Sequence, residues 1–315
     1  MNYLHQWVPW KLIHNEQEVF IQWLFKGDKK FEEPFFDDTI SYCRRLSQNR
    51  HPFKSLSSLS ELIEWSNNTD TLSPSAFIFH VSRCGSTLLS QLLNCDSQNK
   101  VLSEVPFFDE ILRLPFKNEK YSLLSSSYLD SAMRFYGQKD DVLNNRLFIK
   151  TDSWHLHFYQ QLRDHYPGIP FIILYRHPFE VFKSQKRQRG LHAIPGIIEP
   201  RVFNFPKNYS VIDFDIYLAN VLESYYQKCI TILKKDPLAF SFNYEDGIIN
   251  LAKEMYALLG INAEESLYPK WHERTLYHAK KPNEIFVEEY SKMNMPPLLN
   301  PVFNSYQELN SLTRK

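Results

Sequence analysis

This sequence has few cysteines, no excess of either charge and no long apolar run. The 315 residues include only four cysteines, widely spaced and without a CxxC pair, which argues against a zinc site or a disulfide framework. Thiols of this kind are typical of a reduced, cytoplasmic protein. Lysine plus arginine equals aspartate plus glutamate at 36 each, so the chain lacks the basic excess of a general nucleic-acid binder.

Targeting signals are also lacking. The sequence has no run of about 18 apolar residues, so no membrane span is predicted. The first residues, Met1–Trp7, lack the basic start and apolar core of a signal peptide. We therefore expect a cytoplasmic protein that neither spans a membrane nor binds nucleic acid. Because the net charge is zero, any anion site must be local.

Length and composition are sufficient for a large folded core. One α/β domain of about 200–250 residues with an accessory segment is the expected organisation. Residues 1–70 contain four of the six tryptophans and no phosphate-type loop, which predicts an N-terminal accessory or cap segment. We assign residues 71–262 to the main domain and residues 263–315 to a C-terminal extension packed on it.

From about residue 75 onward, strand-like apolar runs alternate with helical patterns. The predicted strands are Ala76–Val81, Val101–Ser103, Leu147–Lys150, Pro170–Tyr175 and Ala239–Phe242. The predicted helices are Ser86–Asn94, Tyr128–Tyr136, His155–His165, Pro178–Arg189, Phe214–Lys235 and Glu245–Leu259. This alternation predicts a parallel sheet covered by helices on both faces. Ligands of such sheets bind beyond the carboxyl ends of the strands, where Arg83, Asp152 and Arg176 stand.

The apolar run Phe77–Val81 enters a polar turn with one glycine and leaves on a helical pattern. The first amides of a helix have no partner within the helix and face the positive end of its dipole, so such a turn binds anions. Arg83 adds a cation, and Ser86 and Thr87 add hydroxyl donors. The alternative is an ordinary strand-to-helix turn with Ser86 as the N-cap and Arg83 exposed.

This loop differs from the P-loop of nucleotide kinases, G-x-x-x-x-G-K-[ST]. Gly85 and Thr87 match the second glycine and the hydroxyl, but His80 occupies the first glycine position and Ser86 the lysine position. An ATP kinase would therefore lack the cation that reaches the β- and γ-phosphates. Here Arg83 supplies a positive charge two residues before Gly85 instead.

A second apolar strand ends in Arg176-His177-Pro178, and Pro178 suits the first position of a helix. Ser184 follows eight residues after Arg176 and can face the same pocket. For Arg176 we favour a role in anion binding, whereas a solvated basic face is the favoured interpretation of the lysines on this helix. That interpretation applies to Lys183 and Lys186, and the helix also carries Arg187 and Arg189.

Together, these two segments resemble the sulfotransferases that use 3′-phosphoadenosine-5′-phosphosulfate (PAPS). Arg83-Cys84-Gly85-Ser86-Thr87 matches the form [KR]-[SC]-G-[ST]-T of the family's 5′-phosphosulfate loop. Arg176 and Ser184 match the family's 3′-phosphate motif. The resemblance covers residues 76–260, and two motifs in the right order, each after a strand, are much more specific than either alone.

Two departures bring the chain closer to the tyrosylprotein and carbohydrate branch than to the cytosolic members. Asp152 replaces the histidine base of the cytosolic Lys-Thr-His segment, and the late G-x-x-G-x-x-K motif is absent because Gly260 is the last glycine. In tyrosylprotein members a glutamate lies 21 residues after the loop arginine, and that position is Glu104 here. Tyr244, in a Tyr-Glu-Asp segment, resembles the tyrosine that lies near the adenine.

The resemblance implies a three-layer P-loop-type fold and transfer of a sulfuryl group from PAPS, the co-substrate, to a hydroxyl or amine. It implies Glu104 as the general base, with Lys150 and Arg83 stabilising the leaving phosphate. No metal ion is expected, and Cys84 replaces the family's serine without acting as a nucleophile. The implied cofactor-binding residues are Arg83, Cys84, Gly85, Ser86, Thr87, Arg176, Ser184 and Tyr244.

The identity of the base stays open among Glu104, Asp152 and His155. Glu104 is alternatively a surface glutamate before a proline, and Asp152 is alternatively the cap of the helix that contains His155 and His157. These two histidines suggest a metal pair, but no third ligand has the spacing of a tetrahedral site.

Two other functions also stay open. One is a small-molecule P-loop kinase, against which Ser86 in the lysine position argues. The other is a non-catalytic sulfotransferase-like protein that binds a nucleotide or a protein partner. The acceptor is open among small molecules, carbohydrates and peptides, and the oligomeric state is open as well. The segment Gly190–Tyr209 is expected to be either a lid over the acceptor or an ordinary surface loop.

Overall fold

The computed structural model describes residues 4–16, 18–33, 36–285 and 294–312. The chain divides into two compact units. The first contains the chain up to Ser75 together with Asp96–Lys150, and the second contains Ala76–Cys95 together with the chain from Thr151 onward. The segment boundaries expected at residues 70 and 262 stay predictions.

Strands and helices alternate through most of the described chain. The strands are β1 Trp7–His14, β2 Val19–Phe25, β3 Leu56–Ser58, β4 Pro74–His80, β5 Asn99–Ser103, β6 Arg146–Lys150, β7 Phe171–Tyr175, β8 Ala239–Asn243, β9 Tyr277–His278 and β10 Lys281–Ile285. The α-helices are α1 Phe36–Cys43, α2 Leu59–Ser66, α3 Ser86–Asn94, α4 Pro106–Lys117, α5 Ser125–Tyr136, α6 Tyr159–His165, α7 Pro178–Arg187, α8 Phe214–Lys235, α9 Ile248–Leu258, α10 Leu267–Thr275 and α11 Asn300–Leu312. Short 3-10 helices lie at Ser47–Asn49, Glu119–Tyr121, Ser153–Phe158, Leu191–Ala193, Pro200–Phe203, Tyr244–Asp246 and Pro297–Leu299.

Five strands, β4 to β8, form a parallel sheet flanked by helices. In the second unit β7 pairs with both β4 and β8, and in the first unit β5 pairs with β6. Every residue of β7 is buried, as expected for a parallel strand that helices cover on both faces. The predicted α/β class and parallel sheet are confirmed.

In the second unit, helix bounds follow the apolar pattern closely. Helix α3 has the predicted bounds and buries Leu89, Leu92 and Leu93, and α8 also begins and ends where its periodicity indicates. The helix expected over His155–His165 is instead a 3-10 helix followed by α6. Gly247, with φ 87°, separates the 3-10 turn at Tyr244 from α9, so the helix expected from Glu245 begins three residues later.

The first unit contains an antiparallel sheet, β1–β2–β3, which the sequence analysis did not predict. Its aromatic residues pack on α5, with the rings of Trp23 and Phe135 4.8 Å apart. A buried carboxylate, Asp140, lies 2.8 Å from the ammonium groups of both Lys26 and Lys100. Burial lowers the pKa of Lys100 to about 8, although Asp140 opposes that shift.

None of the helices in the described ranges combines the length and the apolar character that crossing a bilayer requires.

Candidate functional site

The loop of residues 81–85, which is predicted to bind an anion and is called the anion loop below, joins β4 to α3 in the second unit. Strand β4 ends at His80 and α3 begins at Ser86, with Gly85 at the N-cap in a left-handed conformation of φ 81°. The first amides of α3 therefore follow the glycine directly, at the positive end of the helix dipole. This is the geometry that holds phosphate groups in strand–loop–helix sites.

Ser82 and Arg83, which precede Gly85 in the loop, also have left-handed backbone conformations. Ser82 has φ 69° and Arg83 has φ 51°. The Arg83 guanidinium donates a hydrogen bond to the backbone carbonyl of Gln188, just beyond α7. The loop is thus bent by its own backbone and bonded to the C-terminal end of α7.

His80, which replaces the first glycine of a kinase P-loop, has a defined structural role. Its Nδ1 accepts the backbone N–H of Ser82 at 3.1 Å, so the ring proton is on Nε2. That Nε2 lies 2.9 Å from the carbonyl oxygen of Thr151 and donates to it. A buried histidine therefore holds the loop where kinases need only a glycine.

The remaining loop side chains differ in exposure. Cys84 is fully buried with Sγ 3.4 Å from the Leu174 carbonyl oxygen, which suits a packing role for the thiol. Ser86 is buried at the first position of α3, and Thr87 is partly exposed. The alternative in which Ser86 is the N-cap is wrong, because Gly85 occupies that position.

Arg176 follows β7 and lies over an aromatic ring. Its guanidinium carbon is 4.4 Å from the centre of the Tyr244 ring, a cation–π contact. Glu180 lies in the first turn of α7. Its Oε2 is 4.0 Å from the same guanidinium, and its Oε1 is 2.6 Å from Lys183 Nζ. Ser184 lies on the same helix and is partly exposed.

The ring of Tyr244 also lies against the anion loop. A Cβ atom added to Gly85 would be 2.5 Å from a ring carbon of Tyr244, a distance that side chains do not tolerate. Tyr244 therefore contacts Gly85 on one side and stacks with Arg176 on another. The two segments predicted to bind anions meet at a single aromatic ring.

Helix α11 supports this region, and sequence analysis did not assign it a role. Tyr306 lies 3.2 Å from Glu245 and accepts a hydrogen bond from Asn243 at 3.0 Å. Asn310 accepts from the hydroxyl of Tyr175 at 2.7 Å. Each of these partners is at the end of β7 or β8, so the C-terminal helix fixes the strand ends from which Arg176 and Tyr244 project.

In the first unit, Glu104 and Lys150 form an ion pair at the ends of β5 and β6. Lys150 is almost wholly buried, whereas the Glu104 side chain is 38% exposed. The backbone N–H of Glu104 donates to the Lys150 carbonyl at 2.8 Å, and the glutamate has φ 51°. An exposed carboxylate beside a buried cation, on a left-handed backbone, is a feature expected of functional positions.

Asp152 and His155 are engaged with each other. Asp152 stands at the N-cap of the 3-10 helix Ser153–Phe158, and its backbone N–H donates to His155 Nδ1 at 3.3 Å. His155 Nε2 lies 3.7 Å from the Asp152 carboxylate, and the ring is buried. The alternative in which Asp152 caps this helix is confirmed, and the identity of the base stays a prediction.

The segment Gly190–Tyr209 is partly buried. It contains two 3-10 helices, and Ile198, Val202 and Phe203 are almost fully inaccessible to solvent. A role for this segment over an acceptor stays a prediction.

No protein-family model and no curated protein matches the chain. Among solved structures, it is similar to the sulfotransferase domain from the curacin biosynthetic pathway, with TM-score 0.50 and 16% identity, over 76% of this chain and 99% of that one. It is also similar to a sulfotransferase from Alicyclobacillus acidocaldarius, with TM-score 0.46 and 17% identity, over 76% of this chain and 95% of that one.

The fold and the loop define the class of this protein, an α/β protein with a glycine-capped loop at the carboxyl end of a parallel strand. At 16% identity, the first comparison bears on the fold alone. The chain has the fold of the sulfotransferases, as the two sequence motifs predicted.

Proposed function

We propose that this protein transfers a sulfuryl group from PAPS to a hydroxyl or amine acceptor. The observation that carries the proposal is the position of Tyr244, whose ring contacts Gly85 of the anion loop and the guanidinium of Arg176. Two anion-binding groups on either side of one aromatic ring suit a nucleotide with phosphates at both ends. PAPS has a phosphosulfate at its 5′ end and a phosphate at its 3′ position.

Each cofactor-binding residue has a chemical role in this proposal. The amides from Cys84 to Thr87, the hydroxyls of Ser86 and Thr87 and the cation of Arg83 bind the 5′-phosphosulfate. Arg176, whose planar guanidinium can grip a phosphate with two hydrogen bonds, binds the 3′-phosphate together with Ser184. Tyr244 offers its ring to the nucleoside.

The reaction is an in-line displacement at sulfur. The acceptor oxygen or nitrogen forms a bond to sulfur as the bond from sulfur to the phosphate oxygen breaks. The electron pair of that bond leaves with the product, 3′-phosphoadenosine-5′-phosphate (PAP), and the acceptor proton passes to the carboxylate of Glu104. Lys150 and Arg83 stabilise the negative charge that develops on the leaving phosphate.

Two other functions are less well supported. A kinase would need a cation at the position of Ser86, and that residue is a buried serine at the start of α3. A non-catalytic nucleotide-binding protein would share the cofactor site but would not transfer the sulfuryl group. A transfer assay distinguishes the non-catalytic protein from the enzyme. The protein is incubated with PAPS labelled in its sulfuryl group and a panel of phenols, sugars, amines and tyrosine peptides, and only the enzyme transfers the label.

Arg176→Ala tests the proposed contact with the 3′-phosphate. Calorimetric titration should detect PAP binding to the unmodified protein, and Arg176→Ala should weaken it about 10- to 100-fold, because a charge-assisted bidentate contact is lost. The variant should also lose the preference for PAP over adenosine 5′-phosphate, which lacks the 3′-phosphate.

Lys186→Ala is the matched control, since it removes a cation from the same helix. Lys186 is half-exposed and bonds Asp215, so its loss should leave PAP affinity within about twofold. Absence of PAP binding at millimolar ligand would refute the proposal. Tight binding of ATP with Mg²⁺ in its place would favour the kinase.

A further inference from the structure

A buried glutamine lies behind the anion loop. Gln185, in α7, is fully inaccessible to solvent. Its Oε1 accepts the backbone N–H of Gly190 at 2.8 Å, and its Nε2 lies 2.9 Å from Ser82 Oγ and 3.1 Å from His192 Nε2. One side chain thus joins the anion loop, α7 and the segment that follows α7.

The directions of these hydrogen bonds follow from Gly190. A backbone N–H can only donate, so the Gln185 oxygen accepts and the two other contacts use its amide N–H groups. His192 Nε2 is then an acceptor, which leaves the ring proton on Nδ1, 3.4 Å from Ser153 Oγ. That hydroxyl lies 3.2 Å from the hydroxyl of Tyr225. Gln185 is therefore one end of a buried polar chain whose members orient each other.

Ser82 has a backbone conformation that requires support. Its φ is 69°, and the next residue, Arg83, has φ 51°. Residues other than glycine keep such conformations only where the surroundings hold them. His80 accepts the N–H of Ser82, and Gln185 donates to its hydroxyl, so both the backbone and the side chain are held.

We propose that Gln185 is a positioning residue for the anion loop. It acts through Ser82, and by fixing that residue it fixes the path of the chain into the amides that precede α3. The relevance to sulfuryl transfer rests on the proposed function, whereas the positioning of the loop can be tested without any nucleotide.

Hydrogen exchange in the ligand-free protein tests the positioning directly. In Gln185→Leu, peptides covering residues 81–89 should exchange at least tenfold faster, because Ser82 loses its side-chain anchor. The same variant should bind PAP about tenfold more weakly. The Ser82→Ala variant should have the same two effects. The double variant should loosen the loop no more than Gln185→Leu does, since the Gln185–Ser82 hydrogen bond is already lost in that single variant.

Gln91→Leu is the matched control. Gln91 is another buried glutamine of the second unit, but its amide bonds the carbonyl of Ala279 at 2.7 Å and the guanidinium of Arg274. A purely structural role of a buried amide would change exchange in both variants alike. Equal exchange of residues 81–89 in Gln185→Leu and Gln91→Leu would overturn the positioning role.

The outcomes separate this inference from the proposed function. If the unmodified protein fails to bind PAP but Gln185→Leu loosens the loop, the sulfotransferase assignment fails and the positioning role is supported. If PAP binds but neither Gln185→Leu nor Ser82→Ala changes loop exchange, the positioning role is refuted. Should Gln185→Leu not fold, Ser82→Ala decides alone, because it removes one hydroxyl and adds no bulk.

Discussion

At the scale of single residues, backbone strain is concentrated at two positions predicted to be functional, Arg83 and Glu104, and at Ser82 beside the first of them. Within the described ranges, the non-glycine residues with positive φ are Ser82, Arg83, Glu104 and Asn204. Asparagine tolerates this conformation, but the other three residues do so at a cost of about 1 kcal/mol or more each. All three follow parallel strands, where ligands of α/β sheets bind.

Glu104→Gln tests the proposed base. The amide keeps the size of the side chain but cannot accept the acceptor's proton, so sulfuryl transfer should fall about 100-fold or more. PAP affinity should be unchanged. Transfer of the labelled sulfuryl group and calorimetric titration measure the two quantities.

Asp152→Asn is the comparison, because Asp152 is the competing carboxylate. If Asp152→Asn abolishes transfer while Glu104→Gln keeps full activity, Glu104 is not the base. If both variants stay active, the proton goes to a group outside this pair.

At the scale of elements, the sequence predicted type and order well where the apolar pattern was regular. Helix α8 has the predicted bounds because apolar residues recur at helical spacing over 22 residues. The antiparallel sheet of the first unit was missed because β1 and β2 combine aromatic and polar residues without strict alternation, and β3 has only three residues. Helix α4 was missed as well, and it contains an internal proline, Pro115, that is atypical of helices.

Gly85→Ala tests how the loop is built. Alanine at φ 81° is strained, and its Cβ would meet the Tyr244 ring at 2.5 Å, so the ring or the loop must move. We expect PAP binding to be lost and the free energy of unfolding to fall by about 2 kcal/mol or more.

Gly196→Ala provides the control for strain alone. Gly196 has φ 83°, almost the same conformation, but a Cβ there would meet no atom within 4 Å. This variant should lose only about 1 kcal/mol and retain PAP affinity. Equal effects of the two substitutions on PAP binding would show that the contact with Tyr244 has no functional importance.

At the scale of the whole molecule, charge and burial set the response to pH. The net charge at pH 7 is zero, so specific groups rather than overall repulsion dominate the pH dependence of stability near neutrality. His157 is the clearest such group. Burial, with a smaller effect of Lys228, lowers its pKa from 6.5 to about 3.

We expect stability to decrease as pH falls below 6.5. The unfolded chain takes up a proton at His157 near pH 6.5, whereas the folded chain resists protonation down to about pH 3. Between pH 6.5 and pH 5 this group alone should lower the free energy of unfolding by about 1.5 kcal/mol.

Chemical denaturation of His157→Phe across this range measures the contribution. The difference between the variant and the unmodified protein should be constant above pH 7.5, where the imidazole is neutral in both states, and should shift in favour of the variant below pH 6.5. A difference that does not change with pH would refute the assignment.

The sequence by itself determined the α/β class, the order of the parallel strands along the chain and the two anion motifs. These features depend on local patterns: apolar periodicity, a glycine before a helix, and polar residues directly after strands. The cytoplasmic location and the acceptor stay predictions.

The tertiary structure decided how distant residues combine. It brought Tyr244 between Gly85 and Arg176, paired Glu104 with Lys150, and placed Gln185 behind Ser82. The members of these pairs are 46 to 159 residues apart along the chain, so no local pattern encodes the contacts between them. They form because parallel strands bring their carboxyl ends to one edge of a sheet, and only the folded chain determines which side chains meet there.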